Sequence, residues 1–314
     1  MKGTAALFAA VDLGSNAFRM TIGQQVAGHR RPLIRKVKSL REPVRLAEGL
    51  QGDALDPLAL QRGWQALERF GKHLSGFQEG SVRAVATSAV RQARNASVFL
   101  EEAEARLGFP IDVISGEEEA RLVFSGIAHT MPCNKTTRLV VDIGGGSTEL
   151  IIGRGKQPVF SESLTIGSGT FGKRFFPGGQ VDSRSLQQAE QAACLAFSRV
   201  AREIGAHGWH AAIGSSGTAR MLARVLKANG LNEGGRDGIT YAGLLRLSLS
   251  LLEAGQVRRL KLCGLQEHRL GMLPGGLAIM LAAFKAFGIE DMTPSEPGLR
   301  FGLLHSLMDS RRCA

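Results

Sequence analysis

VVDIGGGSTEL, residues 140–150, decides how this chain is read. An apolar, β-branched run ends in Asp142, three glycines come next, and Glu149 sits just beyond them. Glycine weakens the interior of a strand or a helix, so a triplet is kept only where the backbone turns sharply or comes unusually close to another group. An earlier stretch repeats the pattern: AAVDLGSNAFRM, residues 9–20, again runs from apolar residues through an aspartate and an aliphatic residue to a glycine and small polar residues. Asp12 and Asp142 stand 130 positions apart (142 − 12), the length of a domain.

The segments beyond the two motifs match as well. AFRMTIGQQV and RPLIRKVKSL succeed the first, TELIIGRGKQ and PVFSESLTIG the second, so each copy reads as three strands joined by turns, an antiparallel meander. Helical periodicity then takes over. Asp56-Pro57 supplies a cap and a first-turn proline, and Leu60, Trp64, Leu67 and Leu74 recur at helical spacing. A strand over 82–87, a helix over 95–107, a strand over 111–115 and a helix from Glu117 complete the first half. The second half is expected to carry helices over 183–205, 217–228, 240–254 and 275–287, with a strand at 209–213. Strands first and then alternating helices and strands define a mixed α/β chain. The expected domains are 1–125 and 126–314, with the last helix packing back on the first, and the paired glycine turns are expected to face a cleft between them.

Composition sets further bounds. At 314 residues, with 44% hydrophobic and 21% charged residues, the chain is globular and large enough for two cores. Cys133, Cys194, Cys263 and Cys313 are widely spaced with no CxxC pair, which signals neither zinc nor a disulfide framework and fits a reducing cytoplasm. Asp12 interrupts the N-terminal apolar run, and neither an export signal nor a membrane span is expected. The net charge of +11 draws polyanions. Arg30, Arg31, Arg35, Lys36, Lys38, Arg41 and Arg45 form one basic stretch, and Arg258, Arg259, Lys261 and Arg269 another; a solvated surface is the plain reading for each. One tyrosine and two tryptophans leave few stacking platforms, which disfavours nucleic acid.

The glycine turns therefore point to a phosphate cradled by backbone N–H groups, with carboxylates holding its metal ion. Two ordinary hairpins with acidic turn residues are the alternative. The duplication favours phosphate, as does a third glycine turn, AAIGSSGTAR (211–220), which leads from a strand into a helix.

These turns resemble the phosphate loops of the actin-like ATPase and sugar kinase superfamily, which is built from duplicated ribonuclease-H-like domains. Within it, the exopolyphosphatases and guanosine pentaphosphate phosphohydrolases (Ppx/GppA) resemble nearly the whole chain. The resemblance rests on residues 9–20, VRLAEGL (44–50), VATSAVRQARN (85–95), ISGEEEARLVFSGI (114–127), VVDIGGGSTELIIG (140–153), FFPGG (175–179), IGSSGTAR (213–220) and LPGGLAIM (273–280). Three glutamates open the helix in ISGEEEARL; Glu117 and Glu118 need no role beyond complementing the positive helix end. The resemblance implies that Glu119, directly before Ala-Arg, is the catalytic carboxylate, which orients a water in line with the leaving oxygen and accepts its proton. It further implies a phosphate-contacting Arg91, Mg²⁺ at Asp142 and Glu149 with Asp12 contributing, and K⁺ as a candidate activator. Phosphate is expected along Gly14, Ser15, Asn16, Gly144, Gly145, Gly146, Ser147, Gly214, Ser215, Ser216 and Gly217. Arg19 is also a candidate, although strand alternation leaves its direction open.

PSEPGLRFGLL (294–304) departs from the family's Ser-Asp-Gly-like turn, so Ser295, Glu296 and Arg300 are loosely assigned. The chain stops about where longer members begin a helical, HD-like extension, and a short form is expected. The leading expectation is a magnesium-dependent exopolyphosphatase, a cytoplasmic homodimer acting on inorganic polyphosphate, with guanosine pentaphosphate as the alternative substrate. A kinase is disfavoured because no sugar-site motif stands out. A non-catalytic sensor is disfavoured because anion binding gains nothing from clustered carboxylates.

Overall fold

The computed structural model describes residues 6–26, 33–131 and 136–313. Arg30, Arg31 and Cys133 lie outside them. Contacts divide the chain into two compact units: unit 1 comprises residues 1–130 and 297–314, and unit 2 residues 131–296. The expected boundary at residue 125 falls inside a helix, Gly116–Ala128.

Unit 1 opens on the expected meander, β1 (Leu7–Leu13), β2 (Phe18–Val26) and β3 (Leu33–Glu42), antiparallel and in register from Leu7↔Gln24 to Leu13↔Phe18. A two-residue hairpin, β4 (Leu50–Gln51) and β5 (Ala54–Leu55), precedes α1 (Pro57–Leu74). Asp56 caps α1, its Oδ1 accepting the Ala59 N–H at 2.6 Å, and Pro57 begins the first turn. β6 (Val82–Ala86), α2 (Ser88–Gln92), α3 (Ala96–Leu107), β7 (Ile111–Val113) and α4 (Gly116–Ala128) complete the order. β6 runs parallel to β1 and β7 parallel to β6, giving the sheet order β3-β2-β1-β6-β7.

Alternation along β1 explains both layers on this sheet. Ala9, Val11 and Leu13 join the core of α1 and α3, whereas Phe8 and Ala10 join Leu303, Leu304 and Leu307 of the C-terminal helix on the other face. Unit 2 repeats the plan with β8 (Thr137–Ile143), β9 (Thr148–Arg154) and β10 (Gln157–Leu164), then α5 (Ser168–Phe175), α6 (Ser183–His207), β11 (Ala211–Ser215) and α7 (Ser216–Ala228). β12 (Ile239–Thr240), α8 (Tyr241–Ala254), α9 (Leu273–Phe287) and β13 (Asp291–Pro294) complete it. The order β10-β9-β8-β11-β13-β12 matches that of unit 1, with β12 added at the edge. α2, α5 and the strands β4, β5, β12 and β13 are additions to the expected elements, each too short to show a clear periodicity in the sequence.

α9 is buried along almost its whole length, from Leu273 to Phe284. The stretch 267–287 is long and apolar enough to cross a membrane by length and composition, yet 72% of its most apolar window is buried within the protein, as in a core helix.

The C-terminal helix α10 (Leu299–Cys313) crosses α4 within unit 1 at two glycines. A Cβ on Gly302 would stand 2.0 Å from the Leu122 carbonyl oxygen, and one on Gly126 would stand 2.2 Å from that of Gly298. The obstruction is backbone, which has no rotamer to yield. Gly302→Ala is therefore expected to destabilise the protein by at least about 3 kcal/mol, the upper end of ordinary overpacking. Denaturant unfolding measures this, and a loss below about 1 kcal/mol, the lower end of that range, would contradict the close approach of α4 and α10.

Candidate active site

The parallel strands of unit 1 bring the predicted residues to their carboxyl ends, where open α/β sheets commonly bind ligands. β1 leads into Gly14, Ser15 and Asn16; β6 leads into α2, which carries Arg91; β7 leads to Ser115 and α4. The loop and α2 are joined directly, since the buried Ser15 hydroxyl accepts the Ala89 N–H at 3.2 Å. The carbonyls of Ser15 and Asn16 accept N–H groups of Ala47 and Arg45, both at 2.8 Å.

The three glutamates of α4 part company. Glu117 is exposed. Glu118 pairs with Arg121 through two bonds of 2.7 Å, and this guanidinium, assisted by Arg83, holds its carboxyl below the usual range. Glu119 alone is buried, 9% exposed, and Arg91 Nη1 stands 3.3 Å from its Oε2 while donating to the Ile114 carbonyl at 2.7 Å. Arg91 is thus fixed against two acceptors at the end of β7. The N-cap, Ser115 accepting the Glu118 N–H at 3.1 Å, sets the helix start that turns Glu119 inward.

Unit 2 builds its counterpart around Asp142. Asp142 and Glu149 are direct partners across β8 and β9, so both carboxylates leave the same face of the sheet side by side. Glu149 is only 2% exposed and accepts the Ser163 hydroxyl at 2.9 Å; Ser163 is its own partner on β10. Ser215 on β11 is paired with Asp142 from the other side.

The glycine loop of unit 2 is braced by the close approach of a later segment. Carbonyls of Gly144 and Gly145 accept the N–H groups of Ser168, Gly169 and Thr170 at 2.9 to 3.1 Å, and a Cβ on Gly167 would lie 2.5 Å from Gly145 backbone atoms. The start of α5 thus braces the loop Gly144–Ser147, with Gly146 and Ser147 buried. The composition of IGSGTFG (166–172) is the sequence signal for this brace.

The third turn contains backbone strain. Ser216 has φ +78°, and among the described residues only it and Arg45 are non-glycines with positive φ. Its hydroxyl accepts the Thr218 N–H at 3.1 Å. At Gly214 a Cβ would lie within 2.8 Å of Ala219 and Met292, and at Gly217 it would meet the Arg269 guanidinium at 2.7 Å. Arg269 is 8% exposed, so the solvated surface expected for it is corrected: it packs against the turn. With Arg220, Arg224, Gln266 and Glu296 it lines a cavity of 330 Å³ beside Gly217. Ser295 is buried and donates its N–H to the Gly214 carbonyl at 2.8 Å.

Asp12 is the direct cross-strand partner of Arg19, and Arg19 that of Arg41, which settles the direction of Arg19: it shares the Asp12 face. Arg300, on α10, donates to Thr21 Oγ1 at 3.1 Å and approaches Ser39 Oγ at 3.4 Å on that face. Among the described residues no three His, Cys, Asp or Glu side chains gather into a metal site. A cation that keeps most of its water needs only one or two carboxylates, so the adjacent Asp142 and Glu149 fit Mg²⁺.

A sheet of this order built twice, each with a glycine turn after its first strand, defines the duplicated ribonuclease-H-like class of α/β proteins. The chain belongs to the Ppx/GppA phosphatase family, whose sequence model matches residues 21–311, and is accordingly a hydrolase of phosphoanhydride bonds. Its fold matches that of an exopolyphosphatase from Cytophaga hutchinsonii, with a TM-score of 0.84 and 24% identity over 97% of this chain and 98% of the other. An exopolyphosphatase-like protein matches with a TM-score of 0.83 and 25% identity, covering 98% and 100% of the two chains. The PPX-GPPA enzyme of Aquifex aeolicus gives 0.76 and 25%, covering 96% and 100%.

Burial pushes the Asp12 carboxyl above its ordinary 3.8, against the pull of Arg300 and Arg19. An acid whose pKa is raised by folding favours the folded state while protonated, and that contribution is lost as pH rises through the folded value. Asp12→Asn is therefore expected to melt higher than the parent at neutral pH in EDTA, by about 2–4 °C for each kcal/mol relieved. The margin should shrink as pH falls toward 3.8. Melting curves across pH test this, and an asparagine variant equal to or below the parent throughout would contradict it.

Proposed function

We propose that the protein is an exopolyphosphatase that releases terminal orthophosphate from inorganic polyphosphate by direct attack of water, with Mg²⁺ bound. One observation carries the reading: of three consecutive glutamates only Glu119 is buried, beside Arg91 and at the carboxyl end of the sheet, where the first glycine loop begins. Glu119 orients the attacking water and takes its proton, while Arg91 holds the carboxylate and offers positive charge to the phosphoryl oxygens. Phosphoryl transfer asks mainly for positioning and charge stabilisation, which is why arginines and loops outnumber acid–base groups here.

Asp142 and Glu149 would hold Mg²⁺. Bound there, the ion would supply positive charge to offset that of the phosphate oxygens. The Ser163 hydroxyl on Glu149 Oε1 fixes the orientation of that carboxylate.

A second reading keeps the chemistry and changes the substrate to guanosine pentaphosphate. The cavity beside Gly217 favours it: 330 Å³ with three arginines, an amide and a carboxylate suits a phosphorylated nucleoside better than a bare phosphate chain.

Phosphate release from polyphosphate and from guanosine pentaphosphate, with and without Mg²⁺, tests the assignment. Polyphosphate should be the better substrate and turnover should require the metal. Glu119→Gln should lower kcat by at least about 100-fold, in the range for removal of a general base, with KM little changed. Near-normal turnover by that variant would overturn its role, and a strong preference for guanosine pentaphosphate would replace the first reading by the second.

A further inference from the structure

In both units the glycine loop after the first strand is tied to the helix that follows the neighbouring parallel strand. Unit 1 makes the tie in one step, where the Ser15 hydroxyl on the loop accepts the N–H of Ala89 in α2, the helix after β6. Unit 2 makes it in two. The Thr218 hydroxyl, in the first turn of α7 after β11, donates to Ser168 Oγ at 3.3 Å, and the Ser168 hydroxyl donates in turn to the Gly144 carbonyl at 2.9 Å. The repeat keeps the link while changing the residues that make it.

The hydroxyl chain of unit 2 is held at both ends. Thr218 donates its N–H to the hydroxyl of the strained Ser216 at 3.1 Å, and Arg220 Nε donates to the Ser216 carbonyl at 3.1 Å, so Thr218 is fixed to the third turn. Ser168 reaches the Gly144 carbonyl twice, through its N–H and its hydroxyl, both at 2.9 Å, which occupies both lone pairs of that oxygen. Ser168 is 1% and Thr218 4% exposed, so neither hydroxyl has solvent to turn to. Two glycines at the start of α9 leave the room: a Cβ on Gly276 would stand 2.6 Å from Thr218 Cγ2, and one on Gly275 would stand 2.5 Å from the Ser168 carbonyl oxygen. The turns joined in this way flank one carboxylate, since Gly144 follows Asp142 on the loop and Ser215, at the head of the third turn, is the strand partner of Asp142. Stability alone would be served by apolar groups of the same shape, which replace a buried hydrogen-bonded pair at little cost. Hydrogen bonds add direction, and direction fixes where the loop stands.

We propose that Ser168 and Thr218 are positioning residues for hydrolysis: their hydroxyl chain fixes the loop Gly144–Ser147 against the third turn, so that both turns meet the phosphates in one register. The inference rests on the reading of these turns as phosphate loops, and it holds whether the substrate is polyphosphate or guanosine pentaphosphate. Phosphoryl transfer depends chiefly on positioning, and a displacement of about 1 Å in a supporting group can cost about 100-fold in rate. Loss of the chain therefore acts on kcat more than on KM.

The test is steady-state phosphate release by Ser168→Ala, Thr218→Val, Thr218→Ser and the double variant Ser168→Ala/Thr218→Val, on whichever of polyphosphate and guanosine pentaphosphate the parent hydrolyses faster. Thr218→Val keeps the shape and removes the hydroxyl; Thr218→Ser keeps the hydroxyl and removes the methyl group that faces Gly276. Ser168→Ala and Thr218→Val should each lower kcat by about 5- to 30-fold, the rate equivalent of one buried hydrogen bond, with KM little changed. Thr218→Ser should turn over within about twofold of the parent, even where the lost methyl group lowers its melting temperature. The double variant should lose no more than Ser168→Ala alone, because the two hydroxyls act as one chain. Turnover by Thr218→Val within about twofold of the parent, a loss in Thr218→Ser as large as that in Thr218→Val, or additive losses in the double variant would each overturn the proposal. A preference for guanosine pentaphosphate with the expected order of variants removes the polyphosphate reading and leaves the chain standing. Variants that all match the parent on polyphosphate remove the chain and leave that reading, and a parent that hydrolyses neither compound overturns both.

Discussion

Residues directly opposite in an antiparallel pair share a face and stand about 5 Å apart, and the chemistry of both units derives from that constraint. Each unit's first strand ends near an aspartate, and a tight glycine turn sends the chain back so that one fixed position lies beside it. The side chain there sets the local charge. Glu149 makes a carboxylate pair with Asp142, whereas Arg19 makes an arginine row beside Asp12. One backbone plan thereby offers cation chemistry in unit 2 and anion chemistry in unit 1, without any difference in the order of the strands that carry it.

The loops keep their shape by different means at equivalent places. In unit 1 the carbonyls of Ser15 and Asn16 are taken by N–H groups of the turn at residues 45–47, where Arg45 adopts a left-handed conformation. In unit 2 the carbonyls of Gly144 and Gly145 are taken by the start of α5, which requires Gly167 to lack a side chain. In both, a later segment of the chain occupies the loop's carbonyls. Among the described residues, strain at Arg45 and Ser216 marks the two places where non-glycine backbone takes a positive φ, and both adjoin the glycine turns, as strained positions in functional sites often do.

Much of this is legible in the sequence. The duplicated Asp-Gly turns announce the two meanders, and Asp56-Pro57 announces the start of α1, because caps and tight turns are local and carry their own residue signatures. The division of labour among Glu117, Glu118 and Glu119 is visible only through family resemblance; residue type alone does not say which of three adjacent acids faces inward. Other features are hidden because they are long-range. The Ser163–Glu149 bond joins neighbouring strands through their register, the packing of Arg269 against Gly217 joins segments 52 positions apart (269 − 217), and the direction of Arg19 depends on register as well. The close fit of α10 against α4 likewise comes from glycines at 126, 298 and 302 meeting in space, which nothing local in the chain announces.

On the proposed reading, charge at the cross-strand position divides metal binding from phosphate binding between the two units. The sharpest check is calorimetric titration of Mg²⁺ into the parent protein, Glu149→Gln and Arg19→Gln. Glu149→Gln should weaken Mg²⁺ binding by at least about tenfold, the loss of one of two carboxylates, whereas Arg19→Gln should not weaken it. Unchanged affinity in Glu149→Gln, or a comparable loss in Arg19→Gln, would refute the division.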